Sequence, residues 1–267
     1  MRPKRAEMNS KFRKILVVEI VVAFIVIIFL LAGRQSTQTV TPSPTPSPTI
    51  TQQSNLVEGC DSVVSAKTSN EQWDAAPALN LEDERNYWTL KTNCGDIVIE
   101  LYAIEAPISV NSLRFLTDEG YYDGTPCHRL TTASFFVIQC GDPLGTGFGN
   151  PGYTIMEENR PESGTANYPV GTVAIAKGNQ PNSSGAQFFI VHKDTTLAPS
   201  YSIVGKVIVG MDIVEAIAEK GTLGGVADGK PLQNFGIIEA LLSKKNPAPE
   251  ETAAPEETAA PEESPAE

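Results

Sequence analysis

Chemistry in this chain would have to start from two histidines, His128 and His192, and four cysteines, Cys60, Cys94, Cys127 and Cys140. The histidines form no HExxH metal motif, and no GxSxG turn presents a nucleophile. The cysteines lack the CxxC spacing of a zinc site, which leaves disulfides or buried free thiols. Cys127 and Cys140 flank the turn between two adjacent strand-like runs, so they could face each other across a hairpin. Cys60 would then reach Cys94 and staple the segment before the domain to its first hairpin; four free thiols stay open as the alternative. Gly147, Gly149 and Gly152 match GxGxxG in form. A dinucleotide site needs a helix to open there, whereas Pro151 and the polar stretch EENRPESG follow, so this reading fails.

The elements that could position such groups are short. Strand-like runs occur at 87–91, 97–102, 127–131, 135–140, 172–176, 187–191, 203–208 and 235–241, divided by Gly, Pro, Asn and Asp clusters. Two segments have helical spacing instead. Residues 107–119 carry Ile108, Val110, Leu113 and Leu116 between Pro107 and Gly120; residues 211–220 carry Ile213, Val214 and Ile217 and stop at Gly221. Strands this numerous with two helices do not alternate as a parallel βαβ chain does, so an antiparallel barrel or sandwich is expected.

Three blocks then become specific: YYDGTPCHRLTTASFFVIQCGDPLGTGFGNPGY at 121–153, GTVAIAKGNQPNSSGAQFFIV at 171–191 and YSIVGKVIVGMDIVEAI at 201–217. Together with GDIVIELY and PISVNSLRFL they resemble the cyclophilin family of peptidyl-prolyl cis/trans isomerases over residues 86–243. The resemblance implies a mainly β fold, a closed eight-stranded antiparallel β-barrel capped by two α-helices. It implies that Arg129, in the HR pair, is the catalytic group. Substrate-binding positions carried over from the same blocks are Phe136, Val137, Gln139, Ala176, Gln187, Phe189, Leu197 and Tyr201. On pattern alone Arg129 is an ordinary strand arginine in an ion pair, Phe136 and Phe189 are core aromatics, and the two glutamines are solvated. No cofactor or metal is implied.

The chain departs from the family pattern at four places. Tyr201 stands where the family commonly has His, and Thr196 where a Trp commonly precedes the Leu197 position, in a loop one residue shorter. Val137 replaces a common Met, and the loop TTASF after Arg129 is two residues longer than in the common eukaryotic form. The expected partners are proline-containing polypeptides, and the expected state is a monomer.

The ends have other compositions. Residues 15–33, apolar from Ile15 to Ala32 apart from Glu19, are long enough to span a bilayer, and six basic residues lie in 1–14. The positive-inside bias then makes this an uncleaved signal anchor with the rest of the chain extracytoplasmic; cleavage and secretion is the alternative. Residues 34–57 form a Pro/Ser/Thr-rich spacer, 58–85 a pre-domain segment, and 244–267 a Pro-broken Glu/Ala tail expected to be disordered. With 32 Asp and Glu against 20 Lys and Arg, net −12, the chain is a poor partner for nucleic acid.

Overall fold

In β1 (Tyr87–Thr92) every second residue is buried, namely Trp88, Leu90 and Thr92, as a strand with one face on a core requires. The strand belongs to a computed structural model that describes Val57, Gly59, Cys60 and residues 62–247, in which β-strands covered on both faces are buried at consecutive residues instead. The remaining strands are β2 (Gly95–Leu101), β3 (Thr125–Pro126), β4 (Arg129–Thr131), β5 (Val137–Cys140), β6 (Thr172–Lys177), β7 (Ser184–Val191), β8 (Ile203–Val209), β9 (Asp228–Gly229) and β10 (Gly236–Ser243). Two helices accompany them, α1 (Pro107–Asp118) and α2 (Met211–Lys220). Pro107 opens α1, where a missing N–H is tolerated. Gly221, at φ 74°, ends α2 in a conformation that a side chain resists.

All ten strands belong to one antiparallel sheet, in the order β3-β10-β1-β2-β8-β6-β7-β5-β4-β9. The expected eight-stranded closed barrel is therefore corrected to a curled ten-stranded sheet whose hydrogen-bonded ladder is open between β3 and β9. The expected strand at 127–131 is where the difference arises. Only Cys127 and His128 separate β3 from β4, yet β3 forms one margin of the sheet and β4 is the strand next to the other. Three Cα steps reach at most roughly 11 Å, so the sheet must curl until its margins almost meet. The chain crosses the gap in one stride: Cys127 N–H donates to Phe235 O beside β10 (2.9 Å), and His128 N–H donates to Gln139 O in β5 (3.0 Å). The disulfide Cys127–Cys140 clasps the same seam.

Inside the curl lies the main core. Trp88, Tyr122 and Phe188 meet edge to face, with centroids 4.8 to 5.9 Å apart, and Leu113, Leu116, Val214 and Ile217 bring both helices onto the same cluster. A second, smaller apolar cluster sits on the outer face: Val137, Tyr168, Ala174, Phe189 and Val191, with Phe135, Ala176, Leu197, Tyr201 and Ile203 packed against it.

The expected pre-domain segment is an extended strap. A disulfide joins Cys60 to Cys94 in the β1–β2 turn, Lys67 N–H donates to Pro143 O (2.7 Å) and Trp73 N–H to Pro151 O (2.8 Å). Trp73 also packs on Phe115 of α1, 5.2 Å between centroids. Among the described residues no helix is long and apolar enough to cross a membrane. The anticipated span at 15–33, nearly all of the spacer and most of the acidic tail lie outside the described residues.

Candidate active site

Period-two geometry carries one row of side chains across four strands on the outer face. Arg129 in β4 is paired with Gln139 in β5, Gln139 with Phe189 in β7, and Phe189 with Ala174 in β6. Their sequence neighbours Leu130, Ile138, Phe188 and Ile175 point into the main core. Thus the strands that pack the core also hold Arg129, Gln139 and Phe189 side by side.

A slot of about 220 Å³ lies along this row, lined by Arg129, Phe135, Val137, Gln139, Ala176, Lys177, Phe189, Leu197 and Tyr201. Seven of the nine positions anticipated from the sequence meet here. Gln187 lies one repeat along β7 and lines the adjoining cavity, which also includes Gln139 and Ala176. Phe136 does not line the slot: it lies in a separate cavity with His192, Lys193 and Glu215 of α2, and Phe135 supplies the ring instead. Alternation explains the exchange, because 135, 137 and 139 share a face while 136 points away. Ser134, at φ 66°, makes a tight turn within this loop, across which Phe135 N–H donates to Ala133 O (2.8 Å).

Polar groups at the slot form one connected chain. Arg129 Nε and Nη2 each donate to one carboxylate oxygen of Asp228 at 2.7 Å, and Nη1 donates to Gln139 Oε1 at 3.2 Å. Gln139 Nε2 donates to Gln187 Oε1 (2.8 Å), and Gln187 Nε2 donates to the carbonyls of Gly147 (3.0 Å) and Gly149 (2.9 Å). Carbonyls only accept, so Gln187 must present its nitrogen to the loop, and the orientation of Gln139 follows. Asp228 raises the Arg129 guanidinium further above its ordinary value, while Arg129 holds the Asp228 carboxyl below its own. The arginine therefore stays charged.

The loop that receives Gln187 is built on Asp142. Its buried carboxylate accepts from the N–H groups of Leu144 (2.8 Å), Thr146 (2.8 Å) and Gly147 (2.6 Å). Burial pushes this carboxyl up, but the backbone donors outweigh it and leave the group below its usual value. A Cβ at Gly149 would collide with Asp142, so the glycines of the GxGxxG pattern serve a tight anionic turn.

Aromatic packing sets the floor. Phe189 and Tyr201 meet edge to face at 5.4 Å, and the Tyr168 hydroxyl accepts from Tyr201 N–H at 3.1 Å. Asn167 pairs with both backbone groups of Leu197, accepting from its N–H (3.0 Å) and donating to its carbonyl (2.9 Å). Thr196 Oγ1 accepts from Ala166 N–H, so this side chain serves the loop. Asp228, Phe135, Lys177 and Asn167 are the contributors missed from the sequence. Of these, only Phe135 had a signal there, its shared parity with Val137 and Gln139.

The histidines stand apart from this chemistry. Among the described residues neither ring nitrogen of His128 has a hydrogen-bond partner, and His192 Nε2 donates to Thr131 O at 2.9 Å. Burial holds both rings below the ordinary histidine value.

A family model described as cyclophilin type peptidyl-prolyl cis-trans isomerase/CLD matches residues 87–241. The probable peptidyl-prolyl cis-trans isomerase B of Mycobacterium tuberculosis is 39% identical over 165 residues, a match covering 58% of this chain and 53% of that protein. The chain thus spans about half the length of that relative. Peptidyl-prolyl cis-trans isomerase B of Streptomyces anulatus is 37% identical over 178 residues, covering 60% of this chain and 97% of that protein. Among solved structures, a cyclophilin type peptidyl-prolyl cis-trans isomerase from Cryptosporidium parvum, crystallised in the presence of the dipeptide Ala-Pro, is similar with a TM-score of 0.52 at 27% identity. That similarity covers 60% of this chain and 99% of that one. With more than half of its length matched by the family model, and with the curled antiparallel sheet and two helices of that fold, the chain belongs to the cyclophilin-type peptidyl-prolyl cis-trans isomerase family.

Proposed function

We propose that this chain is a peptidyl-prolyl cis/trans isomerase that accelerates rotation about Xaa-Pro bonds in polypeptides, with Arg129 as its catalytic group. The observation that carries the proposal is a fixed guanidinium beside a largely apolar slot of about 220 Å³, with room for a proline ring and its flanking backbone. An arginine has five N–H donors; three are committed to Asp228 and Gln139, leaving one on Nη1 and one on Nη2 uncommitted among the described residues. The Cryptosporidium relative, with Ala-Pro present in its crystals, supports a proline-containing ligand for this slot.

Rotation about an amide is opposed by about 18–20 kcal/mol, because it breaks resonance between the nitrogen lone pair and the carbonyl. As the bond twists, that lone pair localises on the prolyl nitrogen. An N–H donor aimed at it forms its full bond only in the twisted state and so lowers the barrier without tightening the ground state equally. Val137, Phe189, Leu197 and Ala176 hold the pyrrolidine ring, and the polar row holds the flanking backbone while the other side of the bond turns. An exchange assay on an Xaa-Pro peptide tests the proposal: turnover proportional to the concentration of the full chain supports it, and none above the uncatalysed rate overturns it.

We further propose that residues 15–33 anchor the domain outside the cytoplasmic membrane, where a monomer assists the folding of exported chains. The basic flank before this apolar run supports the orientation, and the two disulfides support an oxidising compartment. External protease that leaves residues 62–247 untouched in intact cells, or an intact mass showing cleavage after the apolar run, would refute the anchored form. A second reading, a module that binds proline segments with weak catalysis, is favoured by the carboxylate that offsets the charge of Arg129. Binding alone saturates, whereas catalysis scales with enzyme.

A further inference from the structure

We infer that Asp228 is a positioning residue for isomerisation: it sets the guanidinium of Arg129 in the plane and at the depth from which Nη1 meets the prolyl nitrogen. The inference rests on the reading of the slot as an isomerase site. β9, which carries Asp228, is two residues long and forms the outermost strand of the sheet, where it contributes no side chain to either apolar cluster. It pairs with β4 so that Asp228 stands opposite Thr131, diagonal to Arg129 on the same face. Both carboxylate oxygens are then spent on Nε and Nη2, which prevents rotation of the guanidinium plane.

The segment bearing this carboxylate is itself held in place. Leu223 N–H donates to Lys230 O (2.8 Å), Leu232 N–H to Gly221 O (2.9 Å), and Thr132 N–H to Ala227 O (2.8 Å). The last of these ties the segment to the strand it serves. From the other side Gln139 Oε1 takes one Nη1 proton, and the ring of Phe135 lies 5.6 Å from the guanidinium carbon. Arg129 is thus gripped from three directions, and the two uncommitted protons point away from Asp228.

Two effects of the carboxylate oppose each other. Pairing offsets the positive charge that stabilises the lone pair, which alone would make Asp228 inhibitory. Holding the donor in place avoids ordering a half-exposed, four-torsion side chain in each catalytic cycle. The proposal is that positioning dominates, because the twisted state needs one N–H in a set direction and gains little from a mobile charge.

The test compares Asp228→Ala, Asp228→Asn and wild type as full chains. Line-shape NMR on a saturating Xaa-Pro peptide separates kcat from KM, and the Arg129 Nε–H resonance reports on side-chain order. Expected for Asp228→Ala are a kcat at least fivefold lower, KM within twofold of wild type, and loss of a slowly exchanging Nε–H signal. Asp228→Asn keeps one acceptor for Nε and should recover at least half of the lost kcat. In an Arg129→Ala background, Asp228→Ala should change kcat no further. An unchanged or raised kcat, a loss that appears only in KM, no recovery in Asp228→Asn, or a full additional loss in the double variant overturns the inference while leaving the proposed function intact. Absence of turnover in wild type overturns the function and this inference together.

Discussion

The side-chain amides of Gln139 and Gln187 are bonded to each other, Nε2 of the first to Oε1 of the second at 2.8 Å. The bond joins the Arg129 end of the slot to the loop at Gly147 and Gly149. Gln187→Glu replaces the donor of that loop with a carboxylate facing two carbonyls. It should lower stability by about 1–3 kcal/mol and reduce kcat/KM several-fold. Chemical denaturation beside an exchange assay checks both; wild-type values in each would show that the row is not coupled.

Arg129→Ala should lower kcat/KM on an Xaa-Pro peptide by at least tenfold with the fold retained, since Arg129 is half exposed and contributes little packing. Arg129→Lys should recover little of this, because a single ammonium cannot fill both oxygens of Asp228 and still reach Gln139. Circular dichroism with the kinetic assay settles it. Full activity in either variant removes Arg129 from the mechanism.

Phe189 belongs both to the slot and to the outer apolar cluster, and only 4% of it is exposed. Phe189→Ala should therefore cost about 3–5 kcal/mol in stability as well as raise KM. Phe189→Leu keeps most of the volume and separates the two effects. A KM unchanged in the leucine variant would assign Phe189 to packing alone.

Because burial depresses the pKa of His128 and His192, the unfolded chain takes up their protons first as pH falls. Stability is then full above the unfolded value of about 6.5 and declines below it, toward the lower folded values. Catalysis uses neither ring, so kcat/KM should stay level from pH 8 to 6 while Tm begins to fall below pH 7. A bell-shaped rate profile that disappears in His192→Gln would contradict the structural role given to that ring.

Without reduction, none of the four cysteines should alkylate, and intact mass measures this directly; four labelled thiols would be decisive against the pairing. Opening Cys127–Cys140, which closes a separation of 13 residues, should cost about 3 kcal/mol in the chain-entropy account. Since the clasp lies where the chain passes from β3 to β4, the double serine variant should show its fastest amide exchange at position 140 and its neighbours on β5.

Much of this protein can be read from local pattern. Alternation marked most of the strands, Pro107 and Gly221 marked helix ends, and Pro151 excluded a dinucleotide helix. The motif around Arg129 identified the family, because those residues are contiguous and their types are unusual together. What remained hidden was which distant segments meet. Asp228 lies 99 residues from Arg129 in a two-residue strand with no periodicity to reveal it, and 127–131 reads as one strand although Cys127 and His128 form the crossing between β3 and β4. Capping and alternation act over a few residues and leave their mark in the order of amino acids. Pairing across a curled sheet is decided by how the whole core closes, so the carboxylate that grips Arg129 emerged only with the tertiary structure, whereas parity along the strand already marked the Phe135 ring.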